Sequence, residues 1–183
     1  MSSLAWPAEV PALTDGAVTL RGWAARDADA VLAACQDADT RRWMDVPVPY
    51  LPEHAAEFVG EHSRRQWSSR QGAPFAITAT DDDQVLGACG LAAVDSVHHV
   101  AEVVYGVAPW ARGQKVAQRA GRLLCDWALR EVGLARLELY VEPSNVASRA
   151  VAERLGCELE GVLRSKALIQ GTRRDMALYA LVA

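Results

Sequence analysis

The segment from Val104 to Ala117, VYGVAPWARGQKVA, holds the residues of this chain best placed to do chemistry. An apolar strand runs into a turn containing Arg112 and Gly113 and then opens directly into a long helix. The first N–H groups of a helix have no internal partner, and the helix dipole adds partial positive charge there, so the junction favours an anion. Arg112, Lys115, Arg119 and Arg122 bring four cationic side chains, the last three spaced i, i+4, i+7 along one stripe. The chain as a whole is acidic, with 23 acids against 19 bases and a formal net charge of −4. A local basic cluster in that setting suits a polyanionic small molecule better than DNA or a membrane surface. The same run also describes a solvated helix face.

The remaining reactive side chains form no comparable pattern. Cys35, Cys89, Cys125 and Cys157 include no C-x-x-C pair, and each has apolar neighbours, so they read as small buried hydrophobes in a reducing compartment. His54 and His62 lack the spacing of a metal motif, and no metal is expected. The opening MSSLAWPAEV has no basic region followed by an apolar core, and no stretch reaches the roughly 18 apolar residues of a membrane span. A cytoplasmic protein with no nucleic-acid or membrane partner is the expectation. With 183 residues, 51% hydrophobic and 23% charged, the composition is that of one globular domain covering 1–183, and it argues against disorder.

The elements that must position the Arg112 turn follow from periodicity. Residues 1–16, with Pro7, Pro11 and Gly16, read as an irregular lead-in, and Val18 to Arg21 as a short strand. A helix capped near Asp27 buries Ala30, Val31, Ala34 and Cys35, and Arg41 to Pro52 reads as a loop. Pro52 suits the first position of a second helix that stops near Gly72. Phe75–Thr80, Val85–Val94 and Val100–Val107, parted by short polar breaks, predict an antiparallel meander. A long helix from Gln114 to Val132 ends at Gly133, and Leu137, Leu139 and Val141 alternate in a strand. A helix from Asn145 to Leu155 and a hairpin turning at Gln170-Gly171-Thr172 complete the chain. About seven strands and four helices in this order predict an α+β fold: a mixed, mostly antiparallel sheet with helices on its faces. The β-α-β unit from Val100 to Val141 implies a parallel pair, or a splay where two strands part.

These landmarks together resemble the GNAT superfamily of acyl-CoA-dependent N-acetyltransferases, nearest the ribosomal-protein N-terminal acetyltransferase branch. The resemblance runs from Val18 to Val182 through Leu20-Arg21, AEVVYGVAPWARG, EPSNVAS, AERLGC, LEGVLR and RRDMALY. The superfamily's pyrophosphate motif, Arg/Gln-x-x-Gly-x-Gly/Ala, reads here as Arg112-Gly113-Gln114-Lys115-Val116-Ala117, with Lys115 where glycine is usual. Its amide would still be available, but a positive φ there would strain a lysine by roughly 1 kcal/mol or more. Alternatively its ammonium would meet a phosphate as a point charge.

The resemblance implies a V-shaped splay in the sheet and acetyl-CoA as acyl donor. It implies that the backbone from Val103 to Val107, Tyr105 and Val107 included, lines the pantetheine arm. Asn145 would hydrogen-bond that arm, and Ser148 would lie near the thioester sulfur. Ser144 or Asn145 could equally be a plain helix cap. Acyl transfer to an amine needs a neutral amine, a polarised carbonyl and a protonated leaving thiolate. Glu102, an acid in an apolar strand that matches the family's Ala-Glu-Ile-Gly-Tyr pattern, is the candidate base, although it also fits a solvent-facing strand position. Backbone N–H groups near Val104 or Tyr105 would hold the oxyanion, and Ser148 would protonate the sulfur, with Tyr105 or Tyr140 as substitutes. A glutamate that one branch carries in the C-terminal hairpin falls here on Ala167. Trp43 and Tyr50 are expected as apolar walls of the acceptor pocket, with a core plug as the other reading of Trp43. The acceptor would be a protein N-terminus or small primary amine, and some relatives pair this hairpin across a homodimer. Lys115 and Ala167 leave room for a non-catalytic CoA-binding or interaction module.

Overall fold

The computed structural model describes residues 4–183, so the first three residues of the lead-in lie outside the described residues. Eight strands form one sheet. They are β1 (Leu13–Thr14), β2 (Val18–Arg21), β3 (Ala73–Ala79), β4 (Val85–Asp95), β5 (Val100–Val107), β6 (Arg136–Val141), β7 (Glu158–Ile169) and β8 (Thr172–Val182). Their order across the sheet is β1-β2-β3-β4-β5-β6-β8-β7. Every neighbouring pair is antiparallel except β5 and β6. The expected meander is therefore present, and the β-α-β unit supplies one parallel pair. The extra strand beyond the seven expected is the two-residue β1, formed where the lead-in folds back on β2.

Helix α5 (Val116–Trp127) crosses the sheet, continues through a π-helical turn over Ala128–Val132, and ends at Gly133 with φ +84°. Its Ala120, Leu124, Trp127 and Ala128 are buried in one core with Leu137, Leu139 and Tyr179 of the sheet. Alternation along β6 explains this directly, because Leu137, Leu139 and Val141 point into the core while Glu138 and Tyr140 leave the opposite face. Helix α6 (Val146–Arg154) lies on the α5 side, with Ala152 and Leu155 in the same core. Trp6, Trp67, Phe75 and Trp127 form an aromatic cluster that ties the lead-in to the sheet.

Before β3 the chain forms α1 (Ala28–Cys35), α2 (Ala38–Trp43) and α3 (Pro52–Glu57), which passes through a π-helical turn at Phe58–His62 into α4 (Ser63–Ser68). Val31, Cys35, Tyr50, Ala55 and Val59 make a smaller core of their own. One expectation needs correction here. The region read as loop from Arg41 begins as helix α2, capped by Asp37, whose carboxylate accepts the Thr40 N–H at 2.9 Å. Asp27 stands at the N-cap of α1 as expected and is also an anchor: only 3% exposed, it takes two hydrogen bonds from Arg21 at 2.8 and 2.9 Å and one from the Ala24 N–H. A buried carboxylate needs such partners, and these fasten α1 to β2. All four cysteines are buried and free, as expected of small hydrophobes.

Candidate active site

The parallel pairing of β5 with β6 lasts for three rungs, Val100 with Arg136, Ala101 with Leu137 and Glu102 with Glu138. Beyond them β6 stays paired with β8 up to Val141, while β5 from Val103 to Val107 stays paired only with β4. The two strands therefore part, and the β5 backbone past Glu102 has no neighbour on that side among the described residues. Period-2 alternation sends Glu102 to one face of this opening and Tyr105 to the other.

At the far end of β5, Pro109–Ala111 form a 3₁₀ turn that leads through Arg112-Gly113-Gln114-Lys115 into α5. Gly113 has φ +77° and a Cβ there would meet nothing within 4 Å, so the loop backbone is approachable. Lys115 is the residue before the helix and lies in the left-handed region at φ 60°, ψ 17°. The conformation usual for glycine is thus kept by a lysine, at roughly 1 kcal/mol or more of strain. Its side chain makes no cap, and the first helical bond is Arg119 N–H to the Lys115 carbonyl at 3.0 Å. The first-turn amides remain for an anion.

The basic cluster is less free than its spacing suggests. Arg112 pairs with the Asp37 carboxylate, reaches Thr40 Oγ1 at 3.0 Å and lies 3.6 Å from Asp39. The Arg112 guanidinium, helped by the Thr40 amide, holds the Asp37 carboxyl down at about 2. Arg119 pairs with Asp15 at 2.6 Å, and Arg122 donates to the Arg154 carbonyl at the end of α6 at 3.0 Å. Of the four side chains, that of Lys115 alone has no ion-pair or hydrogen-bond partner among the described residues.

Across the opening, Asn145 caps α6: its Oδ1 accepts the Ser148 N–H at 3.0 Å, leaving the side-chain amide with no protein partner among the described residues. The capping reading of Asn145 is therefore correct, and it does not use up the group a ligand would need. Ser144 instead donates to Glu142 at 2.6 Å. Ser148 Oγ lies 2.9 Å from the Tyr105 hydroxyl, which also reaches the Ser148 carbonyl at 3.1 Å. This bond joins β5 to α6 across the splay. Burial pushes the Tyr105 phenol up to about 12, so it stays a neutral donor.

On the opposite face Glu102 is half-buried and makes no hydrogen bond among the described residues. Burial raises its carboxyl above the ordinary range; nearby Lys166 lowers it and Glu138 raises it further. Val104, the next residue on that face, is 41% exposed. A Cβ on Gly106 would come 3.0 Å from the Met44 sulfur, so the α2 segment seats Met44 directly over this part of β5. The hairpin tip closes over the same segment, with Gln170 donating to the Arg41 carbonyl at 2.8 Å and to Asp45 at 3.3 Å.

Tyr50 is no pocket wall: it is 6% exposed and packs with Cys35 and Val59 in the small helical core. Trp43 ends α2, half-buried, with the Arg42 guanidinium 4.6 Å over its ring. Met44, Gln170 and Glu138 were not singled out from the sequence. Glu138 had a signal, an acid alternating with leucines in LELYV, but its meaning depended on the rung it shares with Glu102.

Residues 17–158 match the acetyltransferase (GNAT) domain model, which spans the splay and the phosphate loop. The chain belongs to the GNAT acetyltransferase family. It is 26% identical over 165 residues to the N-acetyltransferase p20 of Bacillus licheniformis, covering 90% of this chain and 92% of that protein. It is 29% identical over 135 residues to spermidine N(1)-acetyltransferase of Escherichia coli K12, covering 74% of this chain and 69% of that one. Mycobacterium smegmatis RimJ in complex with CoA-disulfide superposes with a TM-score of 0.85 at 26% identity, covering 100% of this chain and 90% of that one. This GNAT protein is an acetyl-CoA-dependent N-acetyltransferase, and its open, mostly antiparallel sheet is the family's fold. Among the described residues no group of three His, Cys, Asp or Glu side chains could hold a metal, and no helix is long and apolar enough to cross a membrane.

Proposed function

We propose that this GNAT enzyme moves the acetyl group of acetyl-CoA directly to a primary amine in a ternary complex, the amine being a protein N-terminus or a small cationic metabolite. One observation carries the reading. The splay leaves a free carboxylate, Glu102, on one face and a hydroxyl pair, Ser148 and Tyr105, on the other. An acid and a base on opposite sides of one opening suit a transfer in which the amine arrives from one side and the thiol leaves on the other.

The residues present fit the donor. The free edge of β5 from Val103 to Val107, Tyr105 and Val107 included, and the Asn145 amide would hold its arm. The amides of Gly113, Gln114, Lys115, Val116 and Ala117 would take the pyrophosphate, with Lys115 and Arg112 as its cations. Bound acetyl-CoA supplies an activated acyl group and a thiol leaving group. Glu102, its proton affinity raised by burial, accepts the amine's proton through water. Ser148 donates a proton toward the sulfur, and Tyr105 orients that hydroxyl through their 2.9 Å bond. Tyr140 is spent elsewhere, because its hydroxyl donates to Glu138 at 2.7 Å. The likeness to spermidine N(1)-acetyltransferase supports a cationic acceptor, as does the acidic balance of the chain.

The test is an acetylation assay over a panel of free amines and N-terminal peptides. It is run beside a thermal melt with acetyl-CoA, where ligand at 100 times Kd should stabilise the fold by about 2.7 kcal/mol. A melting shift with turnover on at least one amine class supports the proposal. Unchanged turnover in both Glu102→Gln and Ser148→Ala overturns the mechanism.

A further inference from the structure

The acceptor side of the splay carries more charge than the transfer itself uses. Glu102 and Glu138 are partners on the last rung before β5 and β6 separate. Their side chains leave the same face from strands about 4.8 Å apart. The two carboxylates are not equivalent. Arg136 Nε donates to Glu138 at 2.7 Å from one side and the Tyr140 hydroxyl donates at 2.7 Å from the other. Arg136 is clamped in turn by Glu160 of β7 at 2.8 and 2.5 Å. Burial opposes the Glu138 charge, yet these two donors outweigh it and hold its carboxyl below the ordinary range.

The hairpin brings a cation to the same place. Lys166 of β7 sets its ammonium 4.8 Å from the centre of the Tyr140 ring, a cation–π contact. Where the glutamate of one branch of the family falls on Ala167, this chain offers Lys166 one residue earlier. Around Glu102 three strands contribute. Strand β4 presents uncharged Ala92 as its rung partner; β6 presents Glu138, with Arg136 and Tyr140 committed to it; β7 presents Lys166, with Glu160 committed to Arg136. Two charges of opposite sign therefore act on Glu102: a fixed anion on the neighbouring strand, and a cation on an exposed lysine.

We infer that Glu138 and Lys166 are positioning residues for Glu102, an anion and a cation whose balance sets how firmly Glu102 holds a proton as the amine arrives. The inference rests on Glu102 being the base. Glu138 makes Glu102 a better proton acceptor by repelling its charge, and Lys166 makes it a worse one by stabilising that charge. The approaching ammonium of the acceptor takes over the electrostatic role of Lys166, which the Tyr140 ring keeps close without an ion pair of its own.

The test is the pH dependence of kcat/KM, measured from about pH 5 to 9 with one amine. Glu138→Gln should move the acid limb to lower pH, and Lys166→Met should move it to higher pH. Each shift should be about half a pH unit, or a roughly threefold change in kcat/KM on the limb. Lys166→Arg should restore the wild-type limb, and the double variant Glu138→Gln/Lys166→Met should fall near it. A purely structural role would lower activity without moving the two limbs in opposite directions. Should Glu138→Gln fail to fold, the exposed Lys166 variants carry the test alone. Limbs that coincide with wild type, while Glu102→Gln is inactive, overturn this inference and leave the base reading standing. A Glu102→Gln enzyme with full turnover overturns the base reading itself.

Discussion

In the proposed mechanism, the two ends of strand β5 lead to sites built from different materials. Past Val107 the chain prepares an anion site from backbone: a glycine at φ +77°, a lysine at φ 60°, and the uncapped amides that begin α5. Around Glu102 the proposed amine site would be made of side chains, and their meaning depends on which residue of a distant strand shares the rung. Backbone sites tolerate many sequences provided φ is right, so they are stable through change. Side-chain sites are tuned residue by residue, so the proposed mechanism assigns acceptor preference to them.

That contrast can be broken most forcefully at Glu102. Glu102→Gln should lower kcat by about 10²- to 10⁴-fold near neutral pH, while the acetyl-CoA melting shift stays at its wild-type size. The same change should raise Tm at pH 7. A carboxyl whose folded proton affinity is raised by burial favours the folded state below the ordinary glutamate range, and that contribution is lost as pH rises through the folded value. Glutamine removes the penalty, so melts at pH 4 and pH 7 should show the gain only at pH 7.

Ser148→Ala should lower kcat about tenfold, less than the base, because a thiolate leaves readily even without an acid. The α6 cap uses the Ser148 backbone N–H and survives the change, so Tm should hold. Gly113→Ala should raise the acetyl-CoA KM several-fold, with kcat within about a factor of two. The added methyl meets no protein atom, but the loop must hold an alanine at positive φ, at about 1–2 kcal/mol.

The smallest effect sharpens the contrast at Arg112. Asp37→Asn keeps a residue able to cap α2 but removes the charge that holds the guanidinium. Acetyl-CoA affinity measured by calorimetry should tighten about two- to threefold as Arg112 is released toward a phosphate. Weaker binding would show that the Arg112–Asp37 pair belongs to the bound state.

Most of the frame was legible because it rests on local pattern. The alternation in LELYV, the apolar stripe of α5 and the stops at Gly133 and Gly156 each act within one element. The turn from Arg112 into α5 was legible for the same reason, and its Lys115 adopts the left-handed conformation. Helix α2 was not legible: ADTRRW has no apolar period, and it is held instead by the Asp37 cap and by distant Arg112 and Gln170. Tyr50 was misread because an aromatic residue among prolines looks like a binding loop until Val31, Ala55 and Val59 are found around it. The basic stripe overstated its freedom, since Asp15 and the end of α6 claim Arg119 and Arg122 from elsewhere in the chain.

Among the described residues, the strand pairing that joins the β1–β5 half of the sheet to the β6–β8–β7 half is three parallel rungs long. They act as a seam, and Glu102 is its last stitch. A seam this short should exchange its amide hydrogens sooner than the long β7–β8 and β3–β4 ladders beside it. One further stitch would close the groove on Val103; one fewer would let Glu102 swing free of Glu138. In the proposed mechanism, the length of this seam sets where Glu102 stands relative to the opening.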